Sequence, residues 1–204
     1  MILSSAFQDD GQIPSKYTDD GAWTLWRDGY AGVQDVSPPL VWSDVPAQAK
    51  SLVLIVNDPA PTDELDDPLP EPRVHWVLYN IPPSASALPE GISGRRIGRP
   101  DPPGAFQSWR ELPAGTLEGV NGWEQTYYRG PCPDMRAERP ESPLSGPHHY
   151  FFKLYALDIE LPDLGRPSEA KIWEQVRGGP ASIIAWAELV GTYQRLPWGR
   201  RWRE

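Results

Sequence analysis

The side chains best suited to chemistry in this sequence are three histidines, an aspartate and a tyrosine. His75, His148 and His149 are its only imidazoles, and each lies beside strand-like sequence and a proline-rich turn. Asp58 ends one strand-like run, and Tyr150 follows the histidine pair. Imidazoles and a phenol donate hydrogen bonds, and a carboxylate can accept from an imidazole and fix its tautomer. Such a set suits a small anion, for example a phosphoryl or carboxylate group.

Strand geometry decides which of these side chains act together. Successive side chains of a strand point to opposite faces, so His148 and Tyr150 share one face and His149 lies on the other. A tight turn at Gly130 and Pro131 adds backbone N–H donors. We expect His148 and Tyr150 to act together, and we expect His149 to have a structural role.

Two short apolar runs position Asp58 and His75. The run 52–56 is rich in β-branched residues and is followed by Asp-Pro-Ala-Pro, which is typical of a buried strand stopped by prolines. The run 74–81 has the same character and is closed by two prolines. If these strands are neighbours joined by the loop at 59–72, the carboxylate and the imidazole come together at one edge of a sheet.

The rest of the chain predicts many short strands and little helix. Because side chains alternate along a strand, we expect His75, Val77 and Tyr79 to share one face of the sheet. Ser168 is expected to cap a helix that ends at Gly178, and Pro180 is expected to open a further turn or two. The excursion from 88 to 125 is rich in glycine and proline, which is typical of a lid or binding loop. Further strand patterns occupy residues 2–7, 13–18, 146–157 and 187–193.

Composition favours one all-β domain. The chain has 204 residues, and its 25 prolines break helices and interrupt central strands. Its 10 tryptophans and 8 tyrosines indicate an aromatic-rich packed fold. The net charge of −9 makes duplex nucleic acid an unfavourable partner, because phosphates require a basic face.

The sequence also bears on the compartment. Cys132 is the only cysteine, so an internal disulfide is excluded and a reducing cytoplasm is expected. The N-terminus lacks the basic start of a secretory signal. No apolar run approaches the roughly 20 residues of a membrane span.

Other uses of the same residues remain open. Asp58, His75 and His148 could supply a three-ligand metal site, although the chain has no His-Glu-x-x-His motif and no paired cysteines. The same three could hydrolyse a small ester by general acid–base chemistry, with or without a metal. The prolines that flank Cys132 favour a rigid turn over a nucleophile. We expect a binding site with no cofactor and no catalytic residues.

Five segments in a fixed order carry a family resemblance. They are Ser-Pro-Pro-Leu-Val-Trp at 37–42, Asp-Pro-Ala-Pro at 58–61, His-Trp-Val-Leu-Tyr-Asn-Ile-Pro at 75–82, Gly-Pro-Cys-Pro at 130–133 and Gly-Pro-His-His-Tyr at 146–150. Together they closely resemble the phosphatidylethanolamine-binding protein family, in the bacterial branch called Raf-kinase-inhibitor-like (YbhB/YbcL-type). Residues 13–18 and 187–193 resemble the first and last strand patterns of that family, so the resemblance spans nearly the whole chain.

The resemblance implies a mainly β fold, an antiparallel Greek-key β-sandwich with one or two short helices near the C-terminus. It also implies a single domain over residues 1–204. Loop insertions are expected near 19–35, 62–72, 95–125 and 134–145. The resemblance places a pocket for phosphate-like head groups at six residues: Asp58, His75, Gly130, Pro131, His148 and Tyr150. Two positions depart from the family pattern. Ala60 stands where a second Asp is usual, which makes the pocket less negative, and His149 replaces a common Arg.

The expected function is therefore non-enzymatic binding of a small anion, such as phosphate or a phospho-head group, in the cytoplasm. Regulation of a protein partner, as a kinase- or protease-inhibitor-like module, is a further expectation. If His75 or His148 is the cationic donor, anion affinity falls as pH rises through roughly 6–8.

Two surface features leave alternatives open. The arginine clusters at 95–99 and 200–203 are either solvated loops or contacts for an acidic lipid surface or protein. The tryptophan-rich insertions at 19–35 and 95–125 could cover the pocket or form a homodimer face.

Overall fold

The computed structural model describes residues 1–19, 33–59, 73–96, 111–131 and 147–194. Within them lie eleven strands, one α-helix, α1 (Glu169–Arg177), and one 3-10 turn (Ser15–Tyr17). The strands are β1 (Ile2–Ser5), β2 (Gly11–Gln12), β3 (Val33–Gln34), β4 (Leu40–Ser43), β5 (Ser51–Asp58), β6 (Arg73–Ile81), β7 (Ala87–Leu88), β8 (Arg95–Arg96), β9 (Leu117–Glu118), β10 (His148–Leu157) and β11 (Ile183–Tyr193).

A six-stranded sheet forms the centre of the fold, in the order β2-β11-β10-β5-β6-β9. Strand β5 is buried at all eight of its positions and is paired antiparallel with β10 on one side and β6 on the other. Burial on both faces explains why 52–56 is continuously apolar and does not alternate.

The two faces of this sheet carry different layers. A three-stranded sheet, β1-β4-β7, covers one face, where Leu3, Leu40 and Trp42 pack with Leu54 and Phe152. This interface is called the inter-sheet core below. Helix α1 covers the other face. The two layers give the sheet a core on each side.

Helix α1 packs through Ile172, which is buried with Val53, Ile55, Val77 and Tyr79. This second cluster is called the helix-side core. The Ser168 side chain accepts a hydrogen bond from the Lys171 N–H, as expected of an N-cap. None of the helices in the described ranges is long and apolar enough to cross a membrane.

The mainly β sandwich with a late helix is confirmed, and so are the strands at 52–58, 74–81 and 148–157. Three details were predicted wrongly. Residues 13–18 contain a 3-10 turn where a strand was expected, and the segment after Pro180 enters β11 at Ile183 without a further helix. The sheet is not purely antiparallel, because β2 pairs parallel with β11. The Greek-key connection stays a prediction.

Several expectations concern residues that the structure does not describe. The insertions at 62–72 and 134–145, most of the one at 19–35 and part of the one at 95–125 lie outside the described residues. So do Ala60, Cys132, Arg99 and the arginines of the C-terminal tail.

The packing of the inter-sheet core leads to a stability prediction for Leu54→Ala. Leu54 is fully buried at the centre of β5, opposite Leu154 and Leu78 in the two flanking strands. Truncation leaves a cavity, so we expect the free energy of unfolding in urea to fall by about 2–5 kcal/mol. Val41→Ala is the matched control, because Val41 is 52% exposed, and its loss should be within about 0.5 kcal/mol. Equal losses in the two variants would contradict this assignment of the core.

Candidate functional site

Asp58 and His148 form a nearly buried hydrogen-bonded pair. Oδ2 of Asp58 lies 2.8 Å from Nδ1 of His148, and the two side chains are 9% and 13% exposed. The pairing of β5 with β10 brings them together. Phe151 lies opposite Asn57, so the beginning of β10 meets the end of β5. Because an ionised carboxylate only accepts hydrogen bonds, Nδ1 is the donor, and the contact sets the orientation of the imidazole.

Tyr150 joins this pair to His75. The Tyr150 ring is buried, stacks on His148 at 6.5 Å between ring centres, and meets the His75 ring edge-on at 5.2 Å. Side chains from β5, β6 and β10 therefore converge at the ends of these strands. Three segments that are distant in sequence meet in one place.

A bulge in β6 directs His75 to this place. Val56 lies opposite Trp76 and Asn57 lies opposite Val74, so His75 is the extra residue between two pairs. An extra residue breaks the strict alternation of faces. The prediction that His75 shares its face with the residues two and four positions later is therefore wrong. Those residues, Val77 and Tyr79, pack in the helix-side core, whereas His75 contacts Tyr150 of the inter-sheet core.

The His75 imidazole is neutral at pH 7. Burial lowers its pKa to about 4, although the hydrogen bond to the Arg129 carbonyl and the charge of Asp58 act in the opposite direction. Nδ1 lies 2.7 Å from that carbonyl oxygen, which only accepts, so Nδ1 carries the hydrogen. In the neutral ring Nε2 is then an acceptor. His75 becomes a donor at Nε2 only after it takes up a proton.

The turn at Gly130 is held by contacts within the protein. Its N–H donates to Oδ1 of Asp35 at 2.8 Å, and the carbonyl of Pro131 accepts from the Asp19 N–H at 3.0 Å. A Cβ at Gly130 would lie 2.6 Å from the carbonyl oxygen of Tyr17, so only glycine fits this close approach. The Gly130 amide is thus engaged by Asp35, and the turn contributes shape and position rather than this expected donor.

His149 stands apart from the other two imidazoles. Its side chain is 49% exposed, and its Nε2 lies 3.7 Å from the carboxylate of Asp10. This is the placement that alternation along β10 predicts. Within the described ranges no three His, Cys, Asp or Glu side chains converge in a way that could hold a metal ion.

Four residues near the site were not identified from the sequence. Asp35 anchors Gly130, the Arg129 carbonyl fixes the tautomer of His75, and the Trp123 ring contacts the His75 ring at 5.2 Å. Arg73 lies opposite Asp58 in the β5–β6 register. Only the Asn-Gly pair before Trp123 signals a turn there. The other three contacts depend on tertiary placement.

Comparison with known proteins identifies the family. The family model described as phosphatidylethanolamine-binding protein matches residues 3–194. The chain belongs to the phosphatidylethanolamine-binding protein family. Among the curated proteins of this family, a UPF0098 protein of Methanothermobacter thermautotrophicus is 36% identical over 194 residues, covering 95% of this chain and 98% of the relative. A UPF0098 protein of Pyrococcus abyssi is 35% identical over 193 residues, covering 95% of this chain and 84% of the relative.

Solved structures of phosphatidylethanolamine-binding protein homologues share the fold. A structure from Chlamydia trachomatis, named for its homology to this family, is 32% identical with a TM-score of 0.66. The match covers 95% of this chain and 97% of that one. E. coli YbcL has a TM-score of 0.66 at 24% identity, with 96% and 98% of the two chains covered, which shows likeness of fold alone.

The buried His75 leads to a prediction on pH and stability. Its pKa is about 4 in the folded protein and about 6.5 when unfolded, so between these values the unfolded chain binds a proton that the folded chain does not. Stability from this group is fully present above pH 6.5 and is lost as pH falls toward 4. Between pH 7 and pH 4 we expect the free energy of unfolding of the wild type to fall by up to about 3 kcal/mol more than that of His75→Gln. Urea unfolding at pH 7 and pH 4 measures this difference, and parallel pH profiles would contradict it.

Proposed function

We propose that this chain is a non-enzymatic binding protein that takes a small anion, such as phosphate or a phospho-head group. The proposed site is formed by Asp58, His75, Gly130, Pro131, His148 and Tyr150. The observation that carries the proposal is the convergence of an aspartate, two imidazoles and a phenol from three strands at one edge of the inter-sheet core. Buried polar side chains gathered at the ends of core strands are costly for stability alone, which favours a binding role.

The Asp58–His148 pair is the proposed cationic centre. In the proposal Asp58 accepts from Nδ1, and a protonated His148 binds the anion through its second N–H, at Nε2. The contact fixes the orientation of the His148 ring at the ends of β5 and β10. In the proposal Asp58 positions His148 without contacting the anion.

His75 has a different role in the proposal. With Nδ1 bound to the Arg129 carbonyl, the neutral ring offers Nε2 as an acceptor, which suits a ligand oxygen that carries a hydrogen, such as the P–OH of hydrogen phosphate. Protonation turns the same atom into a donor. An anion without a hydrogen therefore binds with uptake of a proton at His75, and its affinity falls as pH rises. The pH range in which the affinity falls begins near the His75 pKa of about 4. This range starts lower than the one expected from an ordinary imidazole.

Regulation of a protein partner and residence in the cytoplasm belong to the same proposal. The support for them is the family membership and the single cysteine of the sequence. In this proposal the binding of the partner depends on whether the anion site is occupied. A homodimer is one form that such a partnership could take.

The central prediction concerns phosphate binding by wild type, His148→Ala and His149→Ala. The two variants remove the same group at adjacent positions of β10, on opposite faces of the strand. We expect calorimetry at pH 6 to show one phosphate per chain for the wild type and for His149→Ala. His148→Ala should bind about 10- to 100-fold more weakly, because one charge-assisted hydrogen bond is lost.

Equal loss of phosphate affinity in both variants, or no loss in either, would show that phosphate does not bind at the proposed site. Thermal unfolding of each variant is the accompanying control. A His148→Ala protein that unfolds at the wild-type temperature shows that the weaker binding is not a consequence of misfolding.

A further inference from the structure

A cluster of two guanidiniums on one indole lies directly beside the proposed anion site. The Trp123 ring meets the His75 ring edge-on at 5.2 Å. Cζ of Arg129 lies 4.2 Å from the centre of the Trp123 ring, and Cζ of Arg73 lies 5.0 Å from it. The three side chains are called the Arg–Trp cluster below. It continues the site outward from His75.

The backbone holds each arginine next to the site. Arg73 is the first residue of β6 and pairs with Asp58 across the strands. Arg129 precedes Gly130, its N–H donates to the His75 carbonyl at 3.0 Å, and its own carbonyl accepts from the His75 ring. Since these contacts use main-chain atoms, the side chain of Arg129 can be changed without removing them.

A small hydrogen-bonded loop fixes Trp123. The buried Asn121 side chain accepts from the N–H groups of Trp123 and Gln125 and donates to the Tyr127 carbonyl. The loop is attached to β6 by a bond from the Gly122 N–H to the Val74 carbonyl at 2.8 Å. These bonds fix the backbone that carries Trp123, and both arginines stack on its ring.

The cluster places positive charge beside the proposed site. The protein carries a net charge of −9, yet two guanidiniums share one ring beside the site. The positive charges of Arg73 and Arg129 both act to lower the pKa of His75, so their fields reach the imidazole. A guanidinium stacked on an indole directs its N–H groups outward in its own plane, the geometry that binds phosphate oxygens in pairs.

We propose that the Arg–Trp cluster is a second anion subsite, and that the protein binds ligands with two linked anionic groups, such as a diphosphate. This inference rests on the proposed function, because the first anionic group occupies the site between His75 and His148. The second group reaches the guanidiniums of Arg73 and Arg129. A phosphoethanolamine head group fits this arrangement poorly, because its ammonium group would face two positive charges.

The test compares three anions by calorimetry at pH 7: inorganic phosphate, pyrophosphate and phosphoethanolamine. We expect wild type to bind pyrophosphate at least about ten-fold more tightly than phosphoethanolamine, as two charge-assisted contacts imply. In Arg73→Gln/Arg129→Gln that advantage should disappear, while phosphate affinity should change by less than about three-fold. Lys50→Gln is the charge control. It removes one positive charge just before β5, at the opposite end from Asp58, and should behave as wild type.

The outcomes separate this inference from the proposed function. If wild type binds phosphate but binds pyrophosphate no better than phosphoethanolamine, the subsite is wrong and the anion site stands. A uniform loss of pyrophosphate binding in the Lys50 and arginine variants would also overturn the subsite, because the effect would then follow net charge. If none of the three anions binds to wild type, the proposed function itself fails. Arg73→Lys/Arg129→Lys should be intermediate, because it keeps the charge and loses the paired N–H geometry.

Discussion

A carboxylate removed from water must be paired, and in this protein the hydrogen bond between Asp58 and His148 meets that requirement. The pair depends on the antiparallel register of β5 and β10, and β5 also contributes side chains to both cores. A one-residue shift of β10 would turn His148 and Tyr150 to the opposite face. The buried pair thus opposes that shift, and the packing of β5 in turn keeps the pair out of water. Site and fold depend on the same register.

The sequence predicts the elements that carry a continuous or alternating apolar pattern. The strands that end at Asp58, cover His75 and begin at His148 follow from such patterns, and so does the helix capped by Ser168. The separation of His148 from His149 also follows, because β10 alternates regularly up to Ala156. These predictions succeed where one local rule governs the whole element.

The details that sequence does not predict arise from interactions between distant segments. The bulge at His75 appears only when β6 is paired with β5, and no residue type in the run signals it. Asp35 binds the Gly130 amide across 95 positions of sequence. The parallel pairing of two-residue β2 with the end of β11 is too short to leave a pattern. Hydrogen bonds between distant segments determine each of these three features. The sequence therefore identifies most of the residues of the site but not all of their contacts.

The electrostatics of the site follow from these placements. His75 is buried and uncharged at pH 7, whereas His148 is held against a carboxylate, so the proposed site gives its two imidazoles different roles, acceptor and donor. Two arginines on Trp123 add positive charge at the outer side. Membership of the phosphatidylethanolamine-binding protein family accounts for the fold. The proposed selectivity for a second anionic group rests instead on the Arg–Trp cluster.

The most direct test of the central claim is an NMR titration of the imidazole signals with phosphate. The chain has only three histidines, so each ring can be assigned with single variants. We expect the signals of His75 and His148 to shift together along one saturation curve, and we expect the signal of His149, on the opposite face of β10, not to move. If none of the three signals shifts, or if His149 shifts alone, the site between β5, β6 and β10 does not bind the anion.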